Sequence, residues 1–159
     1  MPAVNNELPV MVHGQSNLNI EITSDVWSTW TGYKQSHPLK QEACGVLIGS
    51  YIESTNSFII DYCTSPGPGD NRNRASYVMK DKKHQATMNK VFKESDGTSY
   101  WLGTWHTHPE AYPTLSTADN NDWQRLIRQN SHEIPAFLFA IIGLKQVSIY
   151  PFFSDKFQS

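Results

Sequence analysis

Cysteine is scarce in this chain: there are two in 159 residues, Cys44 and Cys63. That is too few for a disulfide framework. An excess of one charge is also missing, with 13 basic and 15 acidic residues and a formal net charge of -2. Such a balance gives no global pull toward nucleic acid or an anionic membrane. No apolar run approaches the roughly 18 residues needed to cross a bilayer. The longest, Ile134 to Leu144, is interrupted by Pro135 and Gly143. The N-terminus lacks the basic-then-apolar pattern of a signal peptide. Internal repeats and low-complexity tracts are absent as well. These absences make cytoplasmic residence the default expectation, with neither a membrane nor a nucleic acid as partner.

What is present is the composition of a globular domain, 38% hydrophobic and 18% charged. Residues 1–16 are polar, contain Pro2 and Pro9, and are expected to form a loose arm, leaving 17–159 as one domain of ordinary size. Leu18, Ile20 and Ile22 alternate with polar residues as a half-buried strand does. Ser24-Asp25 is expected to cap a helix carrying Trp27, Trp30 and Tyr33, ended by His37-Pro38. Ala43 to Ile52 reads as a buried strand and Phe58 to Cys63 as its hairpin partner. The Pro/Gly/Asn/Arg-rich stretch from Ser65 to Arg74 is expected to be an exposed loop.

Further along, Asp81 to Glu94 predicts a helix with His84, Met88, Val91 and Phe92 on one face. Ser99 to His106 predicts a strand, and Ser116 opens a helix through Trp123, Leu126 and Ile127. Ile134 to Ile142 and Gln146 to Phe152 predict a closing strand pair. Strands that come in pairs between helices favour a mixed α/β sandwich over a parallel array.

The chemistry concentrates in a short stretch: His106-Thr107-His108-Pro109, then Ser116, then Asp119. Two histidines two apart on a strand point to one face, with Trp105 and Thr107 on the other. Pro109 ends the strand. Asp119 falls on the first turn of the following helix, across the link Glu110 to Leu115. Two imidazole nitrogens and one carboxylate, with a fourth position left for water, are the donors of a catalytic zinc site. A plainer account covers part of the pattern, because Ser116 followed three residues later by Asp119 is also a helix N-capping pattern. A metal-assisted hydrolase needs a general base besides. Glu42, immediately before the buried strand, is the best placed. Glu110 lies in the link and is expected to be solvated.

These residues resemble the JAMM (MPN-plus, or JAB) zinc isopeptidase family. His106-Thr107-His108-Pro109 with Ser116 and Asp119 matches its signature in residue type and spacing. Glu42-Ala43-Cys44-Gly45-Val46-Leu47 matches its upstream segment. The resemblance implies a three-layer α/β fold of the deaminase-like type, a mixed sheet with helices on both sides. It also implies one Zn2+ per chain held by His106, His108 and Asp119. Glu42 would be the general acid/base, and Ser116 would help stabilise the oxyanion. Ser65-Pro66-Gly67-Pro68-Gly69-Asp70 and Asn71 to Tyr77 resemble the bacterial JAB proteases of defence islands and mobile elements. In cyclic-oligonucleotide anti-phage (CBASS) operons, such proteins accompany ubiquitin-activating- and conjugating-like enzymes. The resemblance implies cleavage after the C-terminus of a conjugated nucleotidyltransferase.

Seven of the thirteen basic residues fall between Arg72 and Lys93. They read either as a solvated face or, for Arg72 and Arg74, as residues that steer an acidic surface or peptide into the cleft. The Arg74 to Met79 segment, with Ser76 and Tyr77, is expected to offer a strand edge to an extended tail. Trp105, Trp101 and Tyr112 are candidates for the cleft wall. Two other functions stand beside the isopeptidase: processing of a small sulfur-carrier or ubiquitin-like precursor, and a non-catalytic MPN-type scaffold. A zinc nucleobase deaminase needs a Pro-Cys-X-X-Cys segment, which this chain lacks.

Overall fold

A computed structural model of the chain describes residues 7–14, 17–130 and 134–153. Its central sheet follows from the apolar runs. β3 (Cys44–Ile52), β7 (Tyr100–Thr107) and β8 (Ala136–Ile142) lie side by side in the middle, and β8 is buried along its whole length. A strand covered on both faces needs no polar alternation, which is why these three read as continuous hydrophobic segments. β4 (Ser57–Cys63) and β2 (Asn19–Ile22) extend the sheet on one side. β9 (Val147–Phe153) and β1 (Val10–Val12) extend it on the other, in the order β1-β9-β8-β7-β3-β4-β2. The sheet is mixed: β7 runs parallel to β8, and β3 is antiparallel to both β4 and β7. A separate two-stranded ribbon pairs β5 (Asn71–Arg72) with β6 (Tyr77–Val78).

Among the described residues, three α-helices flank the sheet: α1 (Ser24–Tyr33), α2 (Lys82–Glu94) and α3 (Thr117–Gln129). The alternation on β7 separates two of them. Trp105 turns toward Tyr33 of α1, with ring centroids 6.0 Å apart, and His106 turns toward Trp123 of α3, at 6.1 Å. Side chains two apart share a face and neighbours do not, so α1 and α3 cover opposite sides. The expected mixed α/β sandwich is the observed architecture. Among the described residues, no helix is long and apolar enough to cross a membrane.

β3 and β7 meet in a register that opposes Cys44 to His106. It breaks between Leu47 and Ile48, which oppose Gly103 and Trp101, leaving Leu102 as the extra residue of a bulge. Gly103 is needed there because a side chain would overlap the Leu138 carbonyl of β8.

Three expectations need correction and a fourth is sharpened. The first concerns the N-terminal arm: Val10–Val12, within the segment expected to be loose, adds a parallel strand to β9, flanked by Val147 N–H donating to Pro9 O at 2.9 Å and His13 N–H to Ile149 O at 2.8 Å. The rim of β9 offers unpaired backbone groups that a short extended segment can satisfy. Second, α1 is entered from Thr23 rather than capped by Ser24, and the Thr23 hydroxyl donates to Asp61 O instead of to the helix. Third, Phe92 is half exposed. It sits one residue, about 100°, round the helix from buried Val91.

Fourth, the stretch from Ser65 to Arg74 is built around a buried acid. The Asp70 carboxylate accepts from the backbone N–H groups of Gly67, Lys80 and Asp81 at 2.9, 2.7 and 2.8 Å. It also meets His84 Nε2 at 2.7 Å, and His84 Nδ1 lies 2.5 Å from the Thr64 hydroxyl. Satisfied in this way, one acid can be buried beneath a loop that stays exposed at Pro68, Gly69, Asn71, Asn73 and Arg74, as expected. Burial alone would raise the Asp70 acid, but the backbone donors and His84 outweigh it and bring it down to about 2. Its folded value is therefore below the unfolded one. The stability it contributes is present above about pH 4 and lost as pH falls through about 2. Asp70→Asn should lower the urea midpoint at neutral pH. The gap from wild type should narrow as pH drops from about 4 to about 2, as unfolding curves across that range will show.

Candidate metal centre and cleft

His106 occupies the end of β7. His108 lies just beyond, where its N–H still donates to Ile142 O at 3.1 Å and holds it in line with the strand. Both rings therefore leave the same face. Asp119 arrives from α3 through a capping box. The Ser116 hydroxyl oxygen accepts from Asp119 N–H at 3.0 Å, and an Asp119 carboxylate oxygen accepts from Ser116 N–H at 2.9 Å. The same box that caps the helix turns the Asp119 carboxylate back toward the strand end.

The three donors converge. His106 Nε2 and His108 Nε2 are 3.1 Å apart. Asp119 lies 3.2 Å from the first through one oxygen and 3.4 Å from the second through the other. Tetrahedral donors on a zinc ion at bond lengths of about 2.0–2.1 Å would stand roughly 3.3 Å apart. All three residues are buried, and together they can hold a metal ion. Glu42 lies alongside with Oε1 3.8 Å from His108 Nε2, and it too is buried.

Electrostatics fits a cation at this point. Desolvation lowers His106, favouring the neutral ring that binds a metal. Burial would raise the Asp119 acid, but hydrogen bonds from His106 and His108, their charge, and the Ser116 N–H hold it well below the usual carboxylate range. His108 is pushed down by burial, yet the hydrogen bond and charge of Asp119 prevail with Glu42 and Glu110, and it rises. The surrounding carboxylates favour positive charge at His108. A divalent cation would answer them more fully. Desolvation raises Glu42 to about 7, against the pull of His108, so the carboxyl can both take and give a proton near neutrality.

A cleft of about 570 Å3 opens over these groups. Glu42, Ser116 and Asp119 lie on its floor, with Ser76, Tyr77 and Val78 also in its lining. A family model described as prokaryotic homologues of the JAB domain matches residues 32–153. The chain belongs to this JAB family. Three curated relatives share the name CD-NTase/cGAS isopeptidase. The protein from Vibrio cholerae is 31% identical over 88% of this chain and 86% of its own length. That from Escherichia coli is 35% identical over 66% of each. That from Pseudomonas aeruginosa is 31% identical over 78% of this chain and 77% of its own length. The solution structure of a Desulfitobacterium hafniense protein superposes with a TM-score of 0.51 at 23% identity, covering 79% of this chain and 75% of that one, and bears on the fold alone.

The JAB chain gathers Glu42, His106, His108, Ser116 and Asp119 around one point, with Ser76 and Tyr77 in the wall above. Three of the residues expected to touch substrate are placed elsewhere. Arg72 Nε donates to Glu42 O at 2.8 Å, with its guanidinium over the Tyr33 ring. Arg74 donates to His37 O and Pro38 O at 3.3 and 2.7 Å. Trp105 is buried on the opposite face, its indole N–H on Thr64 O at 2.8 Å. Both guanidinium groups are anchored on backbone carbonyls, and neither residue is in the lining of the cleft. Trp101 is core, and Tyr112 is exposed outside the cleft lining.

Glu110 is not simply solvated, because its carboxylate meets His108 Nδ1 at 2.9 Å. Asp122, Arg125 and Leu126 also line the cleft. Their spacing of three and seven residues from Asp119 to Asp122 and Leu126 is one helix face, the signal that could have found them. No such signal marks Gln35, which is buried against Thr107.

If the centre holds metal, adding zinc should raise the melting temperature, as any ligand selective for the native state does. His106→Ala should abolish that rise, measured by thermal unfolding with and without zinc.

Proposed function

We propose that this JAB protein is a zinc-dependent isopeptidase. It cuts after the C-terminus of a protein conjugated by ubiquitin-like chemistry, releasing a CD-NTase, a cyclic-oligonucleotide synthase, from its target in anti-phage defence. The observation that carries the reading is a buried Glu42 carboxylate beside convergent His106, His108 and Asp119 donors, in a chain 31–35% identical to proteins named CD-NTase/cGAS isopeptidase. The conjugate would come from a companion ubiquitin-activating- and conjugating-like enzyme.

His106, His108 and Asp119 would hold the ion. When bound, zinc supplies Lewis acidity toward the scissile carbonyl and lowers the pKa of a water molecule. Glu42 takes the proton of the attacking water and passes it to the departing lysine amine, both transfers suiting a carboxyl raised to about 7. The Ser116 hydroxyl accepts the Asp119 N–H, which leaves its own hydrogen to donate to the developing oxyanion. The β6 segment and α3 form opposing walls, so the tail of the substrate lies extended between them, with Ser76, Tyr77 and Val78 on one side.

Glu42→Gln should reduce cleavage of an isopeptide-linked CD-NTase conjugate by about 10²–10⁴-fold while bound zinc per chain stays at the wild-type level. Ser116→Ala should cost about 10²–10³-fold in kcat and also about 1 kcal/mol of stability through the lost cap. Retained activity in Glu42→Gln would exclude the mechanism. A strict preference for linear over isopeptide-linked fusions would move the assignment to precursor processing.

A further inference from the structure

Four ring nitrogens belong to His106 and His108, and the structure gives each a distinct neighbour. The two Nε2 atoms face each other and Asp119. The two Nδ1 atoms point away, and each meets one side chain. His106 Nδ1 lies 3.3 Å from the Tyr77 hydroxyl, and His108 Nδ1 lies 2.9 Å from Glu110 Oε1. These contacts come from unconnected segments, one from strand β6 and the other from the link after Pro109.

A neutral imidazole offers a lone pair at one nitrogen and carries its hydrogen on the other. To present lone pairs at both Nε2 atoms, both rings must hold their hydrogens at Nδ1. An acceptor at each Nδ1 selects that tautomer and locks the ring against rotation. A carboxylate oxygen accepts and does not donate, so against it His108 keeps its hydrogen on Nδ1. Tyr77 can accept the His106 N–H through its oxygen and keep its own hydrogen for another partner.

We propose that Tyr77 and Glu110 are positioning residues of the metal centre. Each holds one histidine in the Nδ1–H tautomer with Nε2 aimed at the ion. The inference rests on the metal-centre reading above and extends it to two side chains that touch neither ion nor scissile bond.

Both partners are themselves held. The backbone around Glu110 is fixed by Leu144 N–H donating to Glu110 O at 2.7 Å and Lys145 N–H to Ala111 O at 3.0 Å. The close passage is possible because Gly143 has no side chain to collide with Pro113 and Glu110. Tyr77 is fixed through β6, which pairs Tyr77 with Arg72, and Arg72 Nε in turn holds Glu42 O. The hairpin that walls the cleft is therefore joined to a metal ligand at one point and to the backbone of the base at another.

A plainer account treats Glu110 as a rim charge and Tyr77 as core. Glu110 has 50% of its side chain exposed, and an ion pair at such a position is worth little to the fold. That account predicts no effect on metal binding. The deciding experiment is a zinc competition titration against a chromophoric chelator, on the full chain and its variants, with metal-free melting temperatures as a folding control. Tyr77→Phe and Glu110→Leu should each weaken zinc by about 10–100-fold with little change in metal-free melting. Glu110→Gln retains an amide oxygen that accepts from Nδ1–H and should bind more tightly than Glu110→Leu. Long-range nitrogen-proton spectra of the zinc-loaded wild type should show both histidines protonated at Nδ1.

Wild-type affinity in Tyr77→Phe and Glu110→Leu would overturn the positioning role while leaving the metal centre intact. A ring protonated at Nε2 in the loaded protein, or equal losses in Glu110→Gln and Glu110→Leu, would overturn it too. Failure of the wild type to bind zinc would instead remove the metal-centre reading on which the inference rests.

Discussion

The site depends on one backbone adjacency, the pairing of Ala43 with Thr107 where β3 begins and β7 ends. Thr107 N–H donates to Ala43 O at 3.0 Å, and Ala43 N–H donates to the Thr107 hydroxyl at 2.9 Å. That hydroxyl donates to the Gln35 side-chain oxygen at 2.9 Å. Gln35 passes its amide hydrogens to Lys40 O and Arg74 O, at 3.2 and 2.8 Å. Thr107 stands between the two histidines in sequence and faces away from them. Every bond it makes on its own side therefore sets where Glu42, next to Ala43, meets the donors on the other. A buried network is worth keeping only when its members are satisfied, and here the amide and the hydroxyl are each engaged through both donor and acceptor.

The opposite face carries a different constraint. Glu42 and Asp119 are buried beside two imidazoles, with Glu110 at the rim. Burying carboxylates is expensive unless positive charge accompanies them. The directions of the shifts show how the protein divides that burden: Asp119 remains ionised against the histidines, His108 gains affinity for a proton, and Glu42 rises to about 7. The arrangement has more negative than positive character. In the proposed metal-loaded enzyme, the ion would make up the difference, and Glu42 would be the carboxyl that carries the proton.

Much of this was legible in the chain because strand and helix periodicities are local. Two residues on a strand define a face, and Ser116 with Asp119 defines a helix start, so the convergence of His106, His108 and Asp119 needed only a short link. Capping and metal holding looked like rivals as sequence patterns. In three dimensions they share one hydrogen-bond box. The region from Ser65 to Arg74 is largely exposed as expected, but its composition did not reveal that Asp70 is buried at its centre. Arg72 and Arg74 were misread because charge does not say where a side chain is aimed. Glu110 is exposed as expected, but a link residue's exposure says nothing of the nitrogen beside it. Gln35 left no trace, since two of its three partners, Arg74 and Thr107, come from segments distant in sequence.

With Arg72 and Arg74 turned onto backbone carbonyls, the character of the cleft changes. Its lining includes Ala75, Val78, Met79, Ala118 and Leu126. Its charged helix residues Asp122 and Arg125 pair with each other. A wall of this kind offers shape and backbone groups to an extended chain, with little net charge to attract one from a distance. On the proposed reading, a conjugated tail is then admitted by fit along β6, and Tyr77, which occupies that strand and also reaches His106, lies where the substrate wall and the metal ligands meet. On that same reading the polar hairpin belongs to the catalytic apparatus through its hydrogen bonds inward, while its arginines hold the Glu42 carbonyl and the Pro38 loop.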